Sequence, residues 1–216
     1  MPSKRRTLLL ILGMAGIGCL IIASLGIWDY LRTTGEGASM PTTETLARST
    51  DTPSEKDPGL VTDEYSVPEG LPRVIEIPGL GIKAYVQRVG VDTGNTIVTP
   101  DNIYFTGWYT GSAVPGETGV SIINGHAGGR YEQGVFRYVV DLKEGDALHV
   151  QMGDRSWREF RVESAKSYAT SDAAAALFND DPLIERELHL ITCDGGFDDH
   201  TQTYDKRFIV VASFRG

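Results

Sequence analysis

Apolar residues form one long uninterrupted run near the N-terminus and many short runs after about residue 69. The long run, Leu8 to Trp28, carries no charged side chain. A helix of about 20 apolar residues can cross a hydrocarbon layer of roughly 30 Å. Basic residues at positions 4–6 precede the run, and such residues favour the cytoplasmic side. The pattern predicts a cytoplasmic tip and a transmembrane anchor over residues 1–31, with the remainder outside the cell.

Two other interpretations of this N-terminal segment stay open. A lipoprotein signal could end at Cys19, although Gly16-Ile17-Gly18 matches the usual pattern poorly and the apolar run continues past the cysteine. A cleaved signal peptide would normally have a shorter apolar stretch and a small-x-small cleavage site, and no convincing site of that kind follows. All three interpretations put the rest of the chain outside the membrane.

Residues 32–68 have a different composition, rich in Thr, Ser, Pro, Glu and Asp, as in Asp51-Thr52-Pro53-Ser54-Glu55. No sustained apolar period runs through them. Such a segment buries too little surface to offset its ordering entropy. We expect a disordered stalk that lets a tethered domain move through the layer just outside the membrane.

Residues 69–216 alternate short apolar, β-branched runs with turns rich in Gly, Pro, Asn and Asp, which predicts one mostly β domain. The predicted strands are 73–77, 84–89, 120–126, 147–152, 159–165, 188–193 and 208–214. Two short helices are expected, at 135–142 and at 173–178, the second capped by Ser171-Asp172. Many short strands with few helices favour a sandwich or a barrel, and a closed barrel leaves no exposed strand edge.

Composition narrows the classes of function. The chain has 216 residues, a net charge of −9 and a pI near 4.9, which argues against a nucleic-acid binder. Only two cysteines are present, too few for a disulfide scaffold or a cysteine-rich zinc site. No acidic cluster suggests a metal cage, so neither a cofactor nor calcium dependence is expected.

Cys193 ends the predicted strand Leu188-His189-Leu190-Ile191-Thr192-Cys193 and precedes Asp194-Gly195-Gly196. A thiol at a strand end beside a glycine-rich loop can be held rigidly and still be reached, as a nucleophile requires. Cys19 lies in the predicted anchor and could not pair with it, so Cys193 is expected to be a free thiol. The alternative is that Cys193 is a small buried apolar residue, which free cysteines often are.

His126 and Arg207 also lie at the edges of predicted strands, beside glycines or a loop. An imidazole near the thiol would favour the thiolate and could protonate a leaving amine. A guanidinium would offer several N–H donors to a developing oxyanion. Spacing alone does not choose His126 over the other histidines. His149 and His189 sit inside strand patterns and look structural, whereas His200, in the loop after Cys193, is a serious rival.

Three ordered motifs resemble the sortase family. Leu190-Ile191-Thr192-Cys193, followed by Arg207 at the start of the last strand, is similar to the sortase cysteine and arginine signature, and Asn124-Gly125-His126 is similar to the histidine motif. Gly107-Trp108-Tyr109, Pro115 to Gly119 and Cys193 to Asp198 resemble class F sortases most. The resemblance covers about residues 71–214, essentially the whole predicted β domain.

The resemblance implies a closed eight-stranded barrel and a single-pass cysteine transpeptidase of a bacterial cell membrane, with its catalytic domain outside. Its implied catalytic residues are Cys193, His126 and Arg207. The implied partners are surface proteins with a C-terminal Leu-Pro-x-Thr-Gly-like sorting signal and an amine of a peptidoglycan precursor. Cys193 would cleave between Thr and Gly through a thioester. The connection over about residues 166–187 would shape the peptide groove.

Two other functions remain possible from the residues alone. A cysteine peptidase would use the same three residues and release the peptide to water. A non-catalytic surface module that binds peptide or glycan would have an inert Cys193 with an ordinary thiol pKa.

Overall fold

A computed structural model describes residues 52–198 and 203–216. The predicted membrane anchor and residues 32–51 of the predicted stalk lie outside these ranges. Within the described ranges, no helix has both the length and the apolar character needed to cross a membrane.

Eight strands form a closed barrel in the order β1-β2-β3-β4-β7-β8-β6-β5. Their bounds are β1 Pro72–Ile77, β2 Ile82–Val89, β3 Thr106–Tyr109, β4 Gly119–Gly125, β5 Ala147–Met152, β6 Trp157–Ala169, β7 Arg186–Asp198 and β8 Thr203–Phe214. In the described part of the chain, one α-helix, α1 at Thr170–Leu177, and two short 3-10 helices, Pro78–Leu80 and Val139–Asp141, connect the strands. The expectation of a mostly β, closed eight-stranded barrel is confirmed.

Alternating side chains fill the barrel interior. In β5, Leu148, Val150 and Met152 are buried, whereas the residues between them are partly exposed. Successive residues of a strand point to opposite faces, so this period of two sends one face of β5 into the core. Phe136 and Phe160, both fully buried, belong to the same cluster. The core therefore depends on the apolar alternation already visible in the sequence.

Strand pairing brings parts of three strands, β4, β7 and β8, to one rim of the barrel. β4 runs parallel to β7, with Asn124 opposite Ile191. β8 returns antiparallel to β7, with Cys193 directly opposite Arg207. The end of β4, the middle of β7 around Cys193 and the first half of β8 consequently lie side by side.

The structure differs from the predicted elements in several places. β7 runs past Cys193 to Asp198 and β8 begins at Thr203, so Cys193 and Arg207 lie inside their strands and not at the predicted strand edges. β3 was not predicted, because a four-residue strand containing Gly107 shows little alternation. The expected helix at 135–142 is reduced to the 3-10 turn Val139–Asp141. Helix α1 begins at Thr170 after Ala169, and no side chain caps its first turn, so the predicted Ser171-Asp172 cap is wrong. Ser171 instead donates its hydroxyl to the carboxylate of Asp172.

The end of the predicted stalk packs against the barrel. Tyr65 is only 4% exposed and clusters with Val74, Tyr85 and Phe105. Its hydroxyl donates to the carbonyl of Val86 at 2.8 Å. Arg73, 2% exposed, donates to the carbonyls of Tyr65 and Thr62, each at 2.5 Å. This polar segment, predicted as part of the stalk, thus supplies one large aromatic side chain and the carbonyls that a buried arginine requires.

Candidate active site

The barrel rim brings together the three residues selected from the sequence. Cys193 of β7 pairs with Arg207 of β8 across an antiparallel ladder, where neighbouring strands lie about 4.8 Å apart. Asn124 of β4 pairs with Ile191 of β7. His126, which follows β4 immediately, lies two residues beyond Asn124, and Cys193 lies two residues beyond Ile191. Thr192, within β7, is joined to the end of β4, because its hydroxyl donates to the carbonyl of Gly125 at 2.9 Å.

His126 is held by a backbone carbonyl. Its Nε2 lies 2.7 Å from the carbonyl oxygen of Pro100. A carbonyl only accepts hydrogen bonds, so Nε2 carries the proton, and the neutral ring keeps its lone pair on Nδ1. Burial lowers the pKa of His126 below its ordinary value of 6.5, and the Pro100 hydrogen bond acts in the opposite direction. The resting imidazole is therefore neutral, with Nδ1 as its acceptor.

Cys193 is a free, partly exposed thiol. Burial raises its pKa above the ordinary value of 9.0, while the charge of Arg207 lowers it. From the sequence we expected a neighbouring imidazole to favour the thiolate. Desolvation outweighs that effect here, because a charged sulfur at the rim loses water that the guanidinium does not fully replace.

The guanidinium of Arg207 is held by neighbouring residues at the start of β8. Nη1 donates to the carbonyls of Tyr204 at 2.9 Å and Lys206 at 2.8 Å, and Nη2 donates to the hydroxyl of Thr203 at 3.2 Å. These bonds hold the planar group in one orientation. Since a guanidinium has five N–H donors, further donors remain for a bound oxygen atom.

A cleft of about 410 Å³ leads to Cys193 and Arg207. Helix α1 forms one wall, and the loop between β2 and β3 contributes to another. The apolar part of the lining includes Ile97, Tyr109, Ala173, Leu177, Phe178 and Ile191. The connection at 166–187, expected to shape a groove, supplies the helical wall. The cleft suits an extended peptide with an apolar side chain.

A second cleft of about 420 Å³ also reaches Cys193, which is the one lining residue common to both clefts among residues 52–198 and 203–216. Its lining includes Ala127, which follows His126, and the charged residues Arg137, Asp141 and Asp194. The thiol thus stands between an apolar and a more polar cleft.

The other histidines do not share this position. His149 lies in β5 against the ring of Trp157. His189 is fully buried, with Nδ1 2.8 Å from the carbonyl of Leu177 and Nε2 2.8 Å from the carboxylate of Glu187. His200 lies outside the described residues. The roles of Pro100 and Thr192 were missed in the sequence, because each depends on a contact between segments far apart in the chain.

Within the described ranges, no group of three or more His, Cys, Asp or Glu side chains is arranged to hold a metal ion. The chemistry available at this rim is that of a thiol, an imidazole and a guanidinium.

Comparisons with known proteins agree with the barrel. The chain resembles sortase A of Corynebacterium diphtheriae, in a lid mutant, with 22% identity, 66% of this chain and 69% of that chain covered, and a TM-score of 0.51. Sortase A of Listeria monocytogenes is 21% identical, with 68% of this chain and 88% of that chain covered and a TM-score of 0.50. Sortase C1 of Streptococcus agalactiae, in complex with MTSET, is 17% identical, with 71% of this chain and 72% of that chain covered and a TM-score of 0.52. No curated protein sequence matches the chain.

The sequence itself carries the family assignment. The family profile described as the sortase domain matches residues 75–215, most of the chain and nearly all of the barrel. The structural likenesses are to sortases A and C, so the expected resemblance to class F stays a prediction. The chain therefore belongs to the sortase family, which implies a transpeptidase enzyme.

Proposed function

We propose that the chain is a membrane-anchored cysteine transpeptidase that cleaves a Leu-Pro-x-Thr-Gly-like sorting signal and transfers the acyl group to an amine of the cell wall. The observation that carries this proposal is the position of Cys193. It lies opposite Arg207, beside the strand end that bears His126, and at the meeting point of two clefts. The resemblance to class F sortases is retained as part of the proposal.

The first half of the reaction forms a thioester. The thiol of Cys193 first gives its proton to Nδ1 of the neutral His126. The resulting thiolate attacks the carbonyl carbon of the threonine, and the carbonyl oxygen becomes an oxyanion. As the intermediate collapses, the C–N bond to glycine breaks and the protonated His126 gives its Nδ1 proton to the departing amine. The acyl group remains on sulfur, and His126 is neutral.

The second half resolves the thioester. An acceptor amine attacks the same carbonyl carbon, His126 removes a proton from its nitrogen, and the C–S bond breaks. The products are a new amide and the regenerated pair of Cys193 and His126. Arg207 stabilises the oxyanion in both halves, since its guanidinium is already oriented by its three hydrogen bonds and needs little reorganisation.

The reactive ion pair is a minor form of the resting enzyme. Burial favours the neutral state of both Cys193 and His126. A thiolate beside an imidazolium therefore forms in a small fraction of molecules, and a bound substrate draws on that fraction.

The two clefts suit the two substrates. The apolar cleft beside α1 accepts the Leu-Pro part of the sorting signal. The second cleft carries Asp141 and Asp194, whose acidic character suits an incoming amine. Because surface proteins and peptidoglycan precursors both meet the outer face of the membrane, a tether would raise their effective concentration at the site.

The proposal is tested with the domain from residue 52, a sorting-signal peptide and an amine such as triglycine. Wild-type protein should show a peptide adduct on Cys193 by intact mass, followed by a ligated product. Cys193→Ala should show neither. Identical behaviour of the two proteins would overturn the enzymatic assignment, and hydrolysis without ligation at saturating amine would make the chain a peptidase.

A further inference from the structure

The loop after His126 is folded around a carboxylate from a distant part of the chain. Glu55 accepts hydrogen bonds from three successive backbone N–H groups, those of Arg130 at 2.5 Å, Tyr131 at 3.0 Å and Glu132 at 3.0 Å. Successive amides pointing at one spot form an anion-binding concavity. A Cβ at Gly129 would lie 2.5 Å from the carboxylate of Glu55, so the glycine permits this close approach.

This loop begins and closes on the backbone of His126. Phe136 donates its N–H to the carbonyl of His126 at 2.9 Å, and Gly134 donates to that of Ala127 at 3.1 Å. A Cβ at Gly134 would lie 2.2 Å from the His126 oxygen, which shows how closely the two segments pass. A shift of residues 129–132 is therefore transmitted to His126 over one tight turn.

The same short segment also holds the other support of His126. Ser54 donates its N–H to Asp101 at 2.7 Å and accepts from Ile103 at 3.0 Å. The side chain of Asn102 donates to the carbonyl of Lys56 at 3.0 Å. Pro100, whose carbonyl receives the His126 ring, directly precedes these residues. Residues 54–56, here called the brace, thus fix both the backbone of His126 and the carbonyl that selects its tautomer.

We propose that Glu55 is a positioning residue for His126, so that the end of the linker completes the active site. The inference rests on the proposed function, in which Nδ1 of His126 carries the transferred proton. Within the described residues, Glu55 lines neither of the two clefts that reach Cys193. Its carboxylate instead accepts hydrogen bonds from the backbone at 130–132. It acts through the loop at 129–132, whereas Ser54 and Lys56 act through the loop at 101–103.

The first measurement separates positioning from substrate binding. Glu55→Ala should lower kcat for ligation about tenfold, because a displaced acid–base group weakens proton transfer, and should leave KM for the peptide within about twofold. Glu64→Ala is the matched control, since Glu64 is an exposed glutamate of the same segment. Glu55→Gln keeps one acceptor oxygen and should recover part of the lost rate. An increase of KM with unchanged kcat would overturn the proposal.

The second measurement does not require turnover. Long-range 1H–15N spectra should show His126 with Nε2 protonated in the wild type and in Glu64→Ala, and a mixed tautomer or shifted ring resonances in Glu55→Ala. Amide exchange should accelerate at Arg130, Tyr131 and Glu132 in Glu55→Ala alone. If spectra and exchange match the control, Glu55 does not position His126, whatever the activity.

A double substitution covers the case in which Glu55→Ala unfolds. Gly129→Ala pushes the Glu55 carboxylate away and should reproduce the kinetic and spectral effects in the wild-type background. Added to Glu55→Gln, it should have a smaller further effect, because the two changes disturb one contact. Fully additive losses would overturn the assignment. If the wild-type protein forms no Cys193 adduct while Glu55→Ala still alters the His126 spectra, the proposed function is refuted and the positioning role of Glu55 stands.

Discussion

At the residue scale, burial sets the charge state of the proposed catalytic pair. Cys193 and His126 are each partly buried at the barrel rim, and desolvation disfavours a thiolate and an imidazolium alike. The guanidinium of Arg207 and the carbonyl of Pro100 oppose these shifts without reversing them. The resting site therefore holds a neutral thiol and a neutral imidazole. Arg207 is already oriented to stabilise the charge that develops once the thiol proton has moved.

A pH profile tests this charge state. The lowered pKa of His126 should put the acidic limb of kcat/KM below the ordinary 6.5, and the raised pKa of Cys193 should put the alkaline limb above the ordinary 9.0. The two limbs belong to the interacting pair as a whole. The rate of Cys193 alkylation by iodoacetamide should rise along the same alkaline limb. A reactive plateau already present at neutral pH would contradict the neutral pair.

Substitutions of Arg207 separate its charge from its shape. Arg207→Lys keeps the positive charge but loses the planar fork, so the alkylation profile of Cys193 should change little while kcat/KM falls about a hundredfold. Arg207→Met also removes the charge that lowers the pKa of Cys193, so the alkylation limb should move to higher pH. Equal alkylation profiles in both variants would argue against the electrostatic contact.

At the element scale, helix α1 is fastened to β7 beneath the apolar cleft. His189 reaches the carbonyl of Leu177, the last residue of α1, with one ring nitrogen and the carboxylate of Glu187 with the other. Glu187 in turn accepts the N–H of Asp181 at 2.7 Å. A buried polar group is tolerated only when it is paired, and this short network pairs each member. The helical wall of the cleft therefore depends on His189 and Glu187, which do not line the cleft themselves.

Breaking this network should cost stability. His189→Phe removes the contact of Glu187 Oε2 and that of the Leu177 carbonyl, so the free energy of unfolding should fall by about 3 kcal/mol. Urea denaturation measures this difference. His149→Phe is the control, because His149 is partly exposed and should shift stability by under about 1 kcal/mol. Equal losses in the two variants would contradict a special role for the buried network.

At the scale of the whole molecule, the barrel extends further toward the N-terminus than its strands do. Tyr65 closes an aromatic cluster with Tyr85 and Phe105, and the buried Arg73 is satisfied by carbonyls of the same segment and by Gln151 at 2.7 Å. Removing the segment would expose the cluster and leave a buried guanidinium short of acceptors.

Truncation tests this boundary. A chain that begins at residue 69 should unfold at a clearly lower temperature than one that begins at residue 52, by roughly 6–12 °C if about 3 kcal/mol is lost. Tyr65→Ala in the longer chain should account for part of the difference. Leu60→Ala is a suitable control, since Leu60 is 90% exposed. Equal melting temperatures for the two chains would show that the segment adds nothing to the folded domain.

Local patterns account for much of the fold and part of the site. Strand β5 was predicted with its observed bounds because its alternation is regular, whereas β3 was missed because Gly107 interrupts a very short run. The hairpin of β7 and β8 makes the pairing of Cys193 with Arg207 nearly local. Motif resemblance, not spacing, selected His126 from among the histidines.

The sequence by itself determined the closed β domain, its family and the three residues of the candidate site, because alternation, turn chemistry and ordered motifs are properties of neighbouring positions. Tertiary structure decided the parallel pairing of β4 with β7, the tautomer of His126, the neutral state of Cys193 and the packing of Tyr65 and Glu55 onto the barrel. Each of these depends on desolvation or on hydrogen bonds between segments far apart in the chain. No local pattern records how much water a side chain loses or which carbonyl it meets.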